Sequence, residues 1–342
     1  MKKILVTGGS GFFGEHLVSR LSKNGDNEII IFDINPPSEK IKKFVKFIKG
    51  DITNKHEILN ACKNIDLVYH AVALVPISRS GDLFEKVNVK GTKNLLDACY
   101  INNVKNIVHI STSSVYGIPN EFPLTEKSQP KPFGEYSLTK YRAEQICIEY
   151  INKGLRISII RPRTIVGEGR LGIVGVMFDW IRRGKNIYVI GSGKNSYQFV
   201  SPSDLVEACV LASEKNLGEI FNIGAEHYKT LKEDLMALTN YAGTGSKVVS
   251  FPAGIIKSVL WVLDKLRLSP FVYWHFMTMD KNYAFDITKA KNLLGWKPKK
   301  SNFDCLKEAY DWYLKNYKNL KYGNTHKSVP KQKLLRIVRA FS

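Results

Sequence analysis

The sequence has no apolar run approaching the ~18–20 uncharged residues that a bilayer-spanning helix needs. Its most apolar stretch, around Ile255–Leu268, is interrupted by Lys257, Asp264 and Lys265, so no transmembrane anchor is expected. Cysteine is sparse: Cys62, Cys99, Cys147, Cys209 and Cys305 are widely scattered, with no CxxC pair and no clustered histidines. That pattern argues against a disulfide framework and a zinc site, no metal is expected, and a reducing, cytoplasmic setting fits. Acid is short as well, with 31 Asp and Glu against 51 Lys and Arg, a net charge of +20. From Lys291 onward thirteen Lys and Arg face only Asp304, Glu308 and Asp311, so half the surplus lies at the C-terminal end. No helix-turn-helix, zinc-finger or RNA-binding signature accompanies the charge, and nucleic acid is not an expected partner. Leu334, Val338 and Phe341 fall at helical spacing among basic residues. They suit either a basic amphipathic helix in peripheral contact with a membrane or a solvated terminus.

What is present is ordinary for a soluble globular chain: 342 residues, 44% hydrophobic and 24% charged. After Met1-Lys2-Lys3, glycines interrupt the apolar run too early for a signal peptide, and the segment reads as a first strand. Short β-branched runs at Lys3–Thr7, Glu28–Phe32, Phe44–Ile48, Asp66–His70, Asn106–Ser111 and Arg156–Arg161 alternate with helical spacing over Phe12–Asn24, Leu83–Asn102 and Tyr136–Lys153. Such alternation predicts βαβ units, and hence an α/β fold with a doubly wound parallel sheet. After Pro162 the pattern loosens into glycine-rich loops, as suits a smaller C-terminal substrate-binding lobe. The expected division is a dinucleotide-binding unit at 1–165, a lobe at 166–317 and a basic extension at 318–342. Asn186–Ile190 and Glu219–Ile223 read as strands that rejoin the sheet.

Directly after the first strand, Gly8, Gly11 and Gly14 form a G-x-x-G-x-x-G turn that runs into a helix. Without β-carbons the backbone turns tightly and approaches a pyrophosphate, while the helix N-terminus offers free N–H groups. At the end of the second strand, Asp33 supplies a carboxylate for both adenosine ribose hydroxyls and repels a 2′-phosphate, which favours NAD over NADP. Tyr136 and Lys140, four apart, share one helix face. A phenol of pKa about 10 becomes a usable proton-transfer group when an ammonium and a positive nicotinamide stand beside it.

Together these residues resemble a known family. The glycine turn, Asp33, Gly50-Asp51, His70-Ala71, Asn88 in Val87-Asn88-Val89-Lys90-Gly91-Thr92, Ser111-Thr112-Ser113-Ser114-Val115-Tyr116-Gly117, the Tyr136/Lys140 pair and Arg161-Pro162 occur in the order of the extended short-chain dehydrogenases/reductases. The sequence is similar to their NAD-dependent epimerase/dehydratase branch over about residues 3–310. The resemblance implies a Rossmann-type fold in which Phe12 and Phe13 sit in the pyrophosphate loop. Asp51 and Ile52 would hold the adenine, Ala71 and Ala73 would back the cofactor, and Asn88 and Pro162 would complete the NAD site. Lys140 would hold the nicotinamide ribose and depress the Tyr136 pKa. Thr112 falls at the family's Ser/Thr position, with Ser111 and Ser113 as alternatives. A homodimer through Leu83–Asn102 and Tyr136–Lys153 is likewise what the family suggests.

The implied reaction is transient oxidation of a nucleotide-activated sugar to a ketone, with Tyr136 as general acid/base. Ser113-Ser114 stand where 4,6-dehydratases carry Asp-Glu, which argues against that outcome. Two diphosphate anchors of the family's epimerases are altered, Thr164 replacing an Asn and Tyr197 an Arg. Arg163, Arg170 or Lys194 would be the replacement cations, so Ser113, Ser114, Arg163, Thr164 and Tyr197 are the candidate substrate contacts. The apolar stripe of Ile255, Val259, Val262, Leu263 and Leu266 reads as core, but the layout also resembles 3β-hydroxysteroid dehydrogenases, which act on lipid-like alcohols. A non-catalytic NAD-binding protein is the third reading.

Overall fold

The computed structural model describes residues 1–75, 81–265, 273–320 and 328, and side-chain statements exclude Asn24 and residues 263–275. The Leu334/Val338/Phe341 pattern and most of the 318–342 extension therefore lie outside what is described.

Among the described residues, eleven strands appear in chain order: β1 (Lys2–Thr7), β2 (Asn27–Asp33), β3 (Lys46–Lys49), β4 (Leu67–His70), β5 (Asn106–Ile110), β6 (Arg156–Pro162), β7 (Thr164–Ile165), β8 (Ile187–Ile190), β9 (Phe199–Val200), β10 (Ile220–Ile223) and β11 (Val248–Phe251). Seven of them form one parallel sheet in the order β10-β6-β5-β4-β1-β2-β3. The order reverses at β1, so the crevice for a ligand opens where β1 and β4 part. In β1 the side chains alternate. Ile4 and Val6 join a core with Leu17, Val18 and Leu205, while Leu5 joins the opposite core with Leu95, Cys99 and Cys147. Each face is thus covered by helices: Phe12–Leu21 and Pro202–Lys215 on one side, Lys55–Ala61, Gly91–Ile101 and Glu135–Asn152 on the other. Leu5 is fully buried between the layers, where Leu→Ala typically costs about 2–5 kcal/mol. All five cysteines are free and buried.

Glu219–Ile223 does rejoin the sheet, as β10 beside β6. Asn186–Ile190 does not. With the edge beside β6 taken by β10, β8 pairs in parallel with β11 in a separate two-stranded sheet. The helix expected over Leu83–Asn102 is three pieces, Asp82–Phe84, a π-helical stretch at Glu85–Lys90, and Gly91–Ile101. The helix Ala253–Lys265 corrects the core reading for Ile255, Val259 and Val262, while Leu263 and Leu266 lie outside the described side chains. Its Lys257 turns inward onto Asp280 at 2.7 Å, and this rotation leaves Ile255, Val259 and Val262 exposed. The Ser201-Pro202-Ser203-Asp204 helix entry is structural: the Asp204 carboxylate accepts from the Lys299 and Lys300 amides at 3.0 Å each, which ties down the segment before the last long helix.

Candidate active site

The glycine turn fits a dinucleotide by its packing. Gly8 has φ +75, and a β-carbon there would meet the Ala71 and Val72 backbone at 2.8–3.0 Å. The chain leaving strand β4 therefore runs against the turn, which places Ala71 and Val72 beside it. Gly14 has even less room, since a β-carbon would lie 2.2 Å from the Gly8 carbonyl oxygen. Gly11 caps the Phe12–Leu21 helix with no side-chain hydrogen bond, so the cap position itself offers no side chain to the first-turn amides. Asp33 stands at the mouth of the turn, where its carboxylate accepts from the Ser10 amide at 3.2 Å and the Asn35 amide at 3.0 Å. A further bond, from the Ser10 hydroxyl to the Asn35 carbonyl at 2.8 Å, fastens the turn to β2. Asp51 closes a tight turn by accepting from Thr53, while the buried Ile52 gives its carbonyl to Asn94 at 3.1 Å.

Asn88, within the π-helical stretch, links three elements. It accepts from the Leu74 amide at 2.8 Å and donates to the Thr139 hydroxyl at 3.2 Å. Single π turns inside helices recur at functional sites because they re-aim a side chain, and here the re-aimed side chain is Asn88.

At the carboxyl ends of β5 and β6 the candidate catalytic groups meet. The Thr112 hydroxyl stands beside the Tyr136 phenol, whose pKa it lowers, and accepts from the Ser114 amide at 3.2 Å. Lys140 is buried, and its ammonium donates to the Ile110 carbonyl at 2.7 Å. Burial pulls that amine down to about 8. Burial also raises the Tyr136 phenol above its ordinary value, and two influences oppose it: the Thr112 hydrogen bond and the charge of Arg170. The cation acting on Tyr136 in this structure is thus Arg170, whose guanidinium lies 5.6 Å from the Phe12 ring centre.

Behind Thr112, Glu144 is fully buried and holds Arg161 through two bonds of 3.0 and 2.6 Å. It also accepts from the Ser111 hydroxyl. Ser111 is thereby occupied, which leaves Thr112 as the hydroxyl on Tyr136. Ser113 and Ser114 are buried. Arg163 donates to the Ser113 hydroxyl at 2.9 Å, and the Thr164 and Tyr197 hydroxyls stand 3.4 Å apart. Pro162 ends β6 opposite Ile223. Two further residues had no readable signal in the sequence. Tyr283 donates its hydroxyl to the Ser113 carbonyl at 2.6 Å, and Ser10 braces Asp33; neither contact follows from local spacing. Among the described residues, no three His, Cys, Asp or Glu side chains are grouped to hold a metal ion.

A doubly wound parallel sheet with this turn, acid and Thr/Tyr/Lys constellation defines a dinucleotide-dependent oxidoreductase fold. The chain belongs to the NAD dependent epimerase/dehydratase family, which residues 4–224 match, and its cofactor is NAD. A Sinorhizobium fredii protein named y4nG is 38% identical over 341 residues, covering 99% of this chain and 86% of its own. The mouse sterol-4-alpha-carboxylate 3-dehydrogenase, decarboxylating, is 30% identical over 62% of this chain and 59% of its own length. Among solved structures, UDP-glucuronic acid 4-epimerase from Bacillus cereus in complex with NAD superposes with a TM-score of 0.76. It is 27% identical and covers 92% of this chain and 99% of its own.

Proposed function

We propose that this chain oxidises a nucleotide-activated sugar at one carbon and then reduces it again, as an epimerase does. The observation that carries the reading is the meeting of Thr112, Tyr136 and the buried Lys140, whose ammonium donates to the Ile110 carbonyl at 2.7 Å, at the strand ends that also bear the glycine turn. In the proposed cycle the Tyr136 phenolate removes the substrate hydroxyl proton while Thr112 orients that oxygen. NAD, when bound, would supply the hydride acceptor and donor for that carbon. A sugar ketone stands between the two transfers. If the sugar turns over before the hydride returns, and Tyr136 gives back its proton, the configuration at that carbon inverts. Gly8, Gly11 and Asp33 would hold the pyrophosphate and adenosine ribose, and Lys140 the nicotinamide ribose. Thr164, Tyr197, Ser113 and Ser114 would face the nucleotide sugar. The Bacillus cereus structure, named for a UDP-sugar epimerase, supports this class of substrate.

The assembly in this reading is a homodimer in the cytoplasm, packed through the helices carrying Tyr100, Ile101 and Leu138, which are exposed here. Peripheral membrane contact through the basic extension belongs to the same proposal. A second reading, a 3β-hydroxysteroid-like dehydrogenase on a lipid-like alcohol, is favoured by one observation, the exposed Ile255, Val259 and Val262. Native mass spectrometry of freshly purified protein separates the two. Retained NAD(H) with a UDP-, GDP- or dTDP-sugar is the expected result. An empty site that exchanges NAD freely and turns over only lipid-like alcohols would overturn the epimerase reading.

A further inference from the structure

Two arginines enter the core two positions apart, and only one of them meets an acid. Arg161 is 3% exposed and spans the Glu144 carboxylate, with its third nitrogen on the Tyr116 hydroxyl at 2.8 Å. Arg163 is 1% exposed, and no salt bridge among the described residues includes it. Its Nη1 donates to Ser113, while Nε and Nη2 have no hydrogen-bond partner. The guanidinium lies 3.9 Å from the Tyr283 ring centre and 4.8 Å from that of Tyr197. Ring faces attract a cation, but they leave its in-plane N–H donors unmet. Buried charges persist in proteins when an opposite charge and hydrogen bonds accompany them.

The location says what kind of anion those donors would meet. Ser113 follows Thr112 directly, and Tyr283 pins the Ser113 carbonyl at 2.6 Å. The Ser114 hydroxyl, also buried, has no partner either. Unmet donors therefore flank the peptide that presents Thr112 to the reacting carbon. A neutral sugar brings no charge to that point. A carboxylate on the sugar ring brings two coplanar oxygens, the shape a guanidinium edge binds through two hydrogen bonds.

We propose that Arg163 is a specificity-determining residue that binds a sugar carboxylate, which makes the substrate a nucleotide-linked uronic acid; this rests on the nucleotide-sugar reading above. The diphosphate of a nucleotide sugar is the other anionic source, and the ligand series tells the two apart. Dissociation constants for UDP-glucuronate, UDP-glucose and UDP are measured on the NAD-loaded protein. The wild type should bind UDP-glucuronate at least about tenfold more tightly than UDP-glucose, the scale of one charge-assisted hydrogen-bond pair. Arg163→Gln should bring that ratio close to one, and Arg163→Lys should keep part of it. No wild-type preference for the uronate overturns the proposal, and this arm needs no variant to fold. A variant that weakens all three ligands equally, or lowers kcat alike for both sugars with the ratio intact, also overturns it, making Arg163 a diphosphate contact or a brace for Ser113. Absence of binding by all three ligands and by their GDP and dTDP counterparts overturns the nucleotide-sugar reading with it, whereas equal binding of the two sugars overturns only this proposal.

Discussion

The Lys140 ammonium donates to the Ile110 carbonyl at 2.7 Å, and Ile110 stands two residues before Thr112. One bond therefore ties the helix that presents Tyr136 to the strand end that presents Thr112. The bond is made inside the protein, where losing water disfavours the charged amine and pulls it to about 8 from an ordinary value of 10.5. Between those two values the unfolded chain binds more protons than the native one, so this group's contribution to native stability improves as pH rises through that window. Below pH 8 both states carry the charge and the burial penalty is felt in full. Lys140→Met should lose this dependence. Urea unfolding of the NAD-free protein at pH 7 and pH 10.5 should show the variant's stability relative to wild type falling by on the order of 3 kcal/mol at the higher pH. Parallel pH profiles for the two proteins would count against the assignment.

Tyr136→Phe removes the phenolic hydroxyl and keeps the ring near Phe84, whose centroid lies 6.2 Å away. Stability and NAD retention should stay close to wild type, while turnover of the substrate falls by about 10²–10⁴-fold, the usual weight of a general acid/base. The check is single-turnover reduction of bound NAD after addition of the nucleotide sugar. Reduction at the wild-type rate would remove Tyr136 from the chemistry.

Gly14→Ala puts a methyl group 2.2 Å from the Gly8 oxygen and 2.6 Å from the Gly9 α-carbon, both of them backbone. Backbone cannot move aside as a flexible side chain does, so the turn must open. A loss of about 1–3 kcal/mol is expected, together with weakened NAD binding. Gly254→Ala, where nothing lies within 4 Å of the new carbon, is the control. Thermal unfolding with and without NAD separates the two, and equal behaviour would show that the turn tolerates side chains.

The parallel sheet and the glycine turn are legible in sequence because their signals are local. The turn, Asp33 and the strand alternation each depend on neighbours within a few residues, and the Ser10 amide brings Asp33 against the turn. The π-helical stretch at Glu85–Lys90 leaves no mark in a 3.6-residue pattern, since it holds only two apolar residues, Val87 and Val89. The substrate side depends on contacts between distant segments. Ser113 is set by Arg163 and Tyr283, the latter 170 positions away, and no spacing rule connects them. The inward turn of Lys257 illustrates the same limit: its partner Asp280 decides which face of the helix is exposed, and that choice is tertiary.

Arg170 illustrates how such a distant contact bears on chemistry. It lies in the loop after β7, stacked toward Phe12, and its charge lowers the Tyr136 phenol while burial raises it. Substituting Arg170 by Leu removes a stabiliser of the phenolate but keeps the burial. The phenol pKa should rise, by about one unit for a single nearby charge. The oxidative step needs the phenolate, so the low-pH limb of its kcat/KM profile should move to higher pH by that amount, with the plateau retained. The reductive step needs the neutral phenol, and its high-pH limb should move in the same direction. A profile that drops uniformly without shifting would mean that Arg170 holds substrate and does not tune Tyr136.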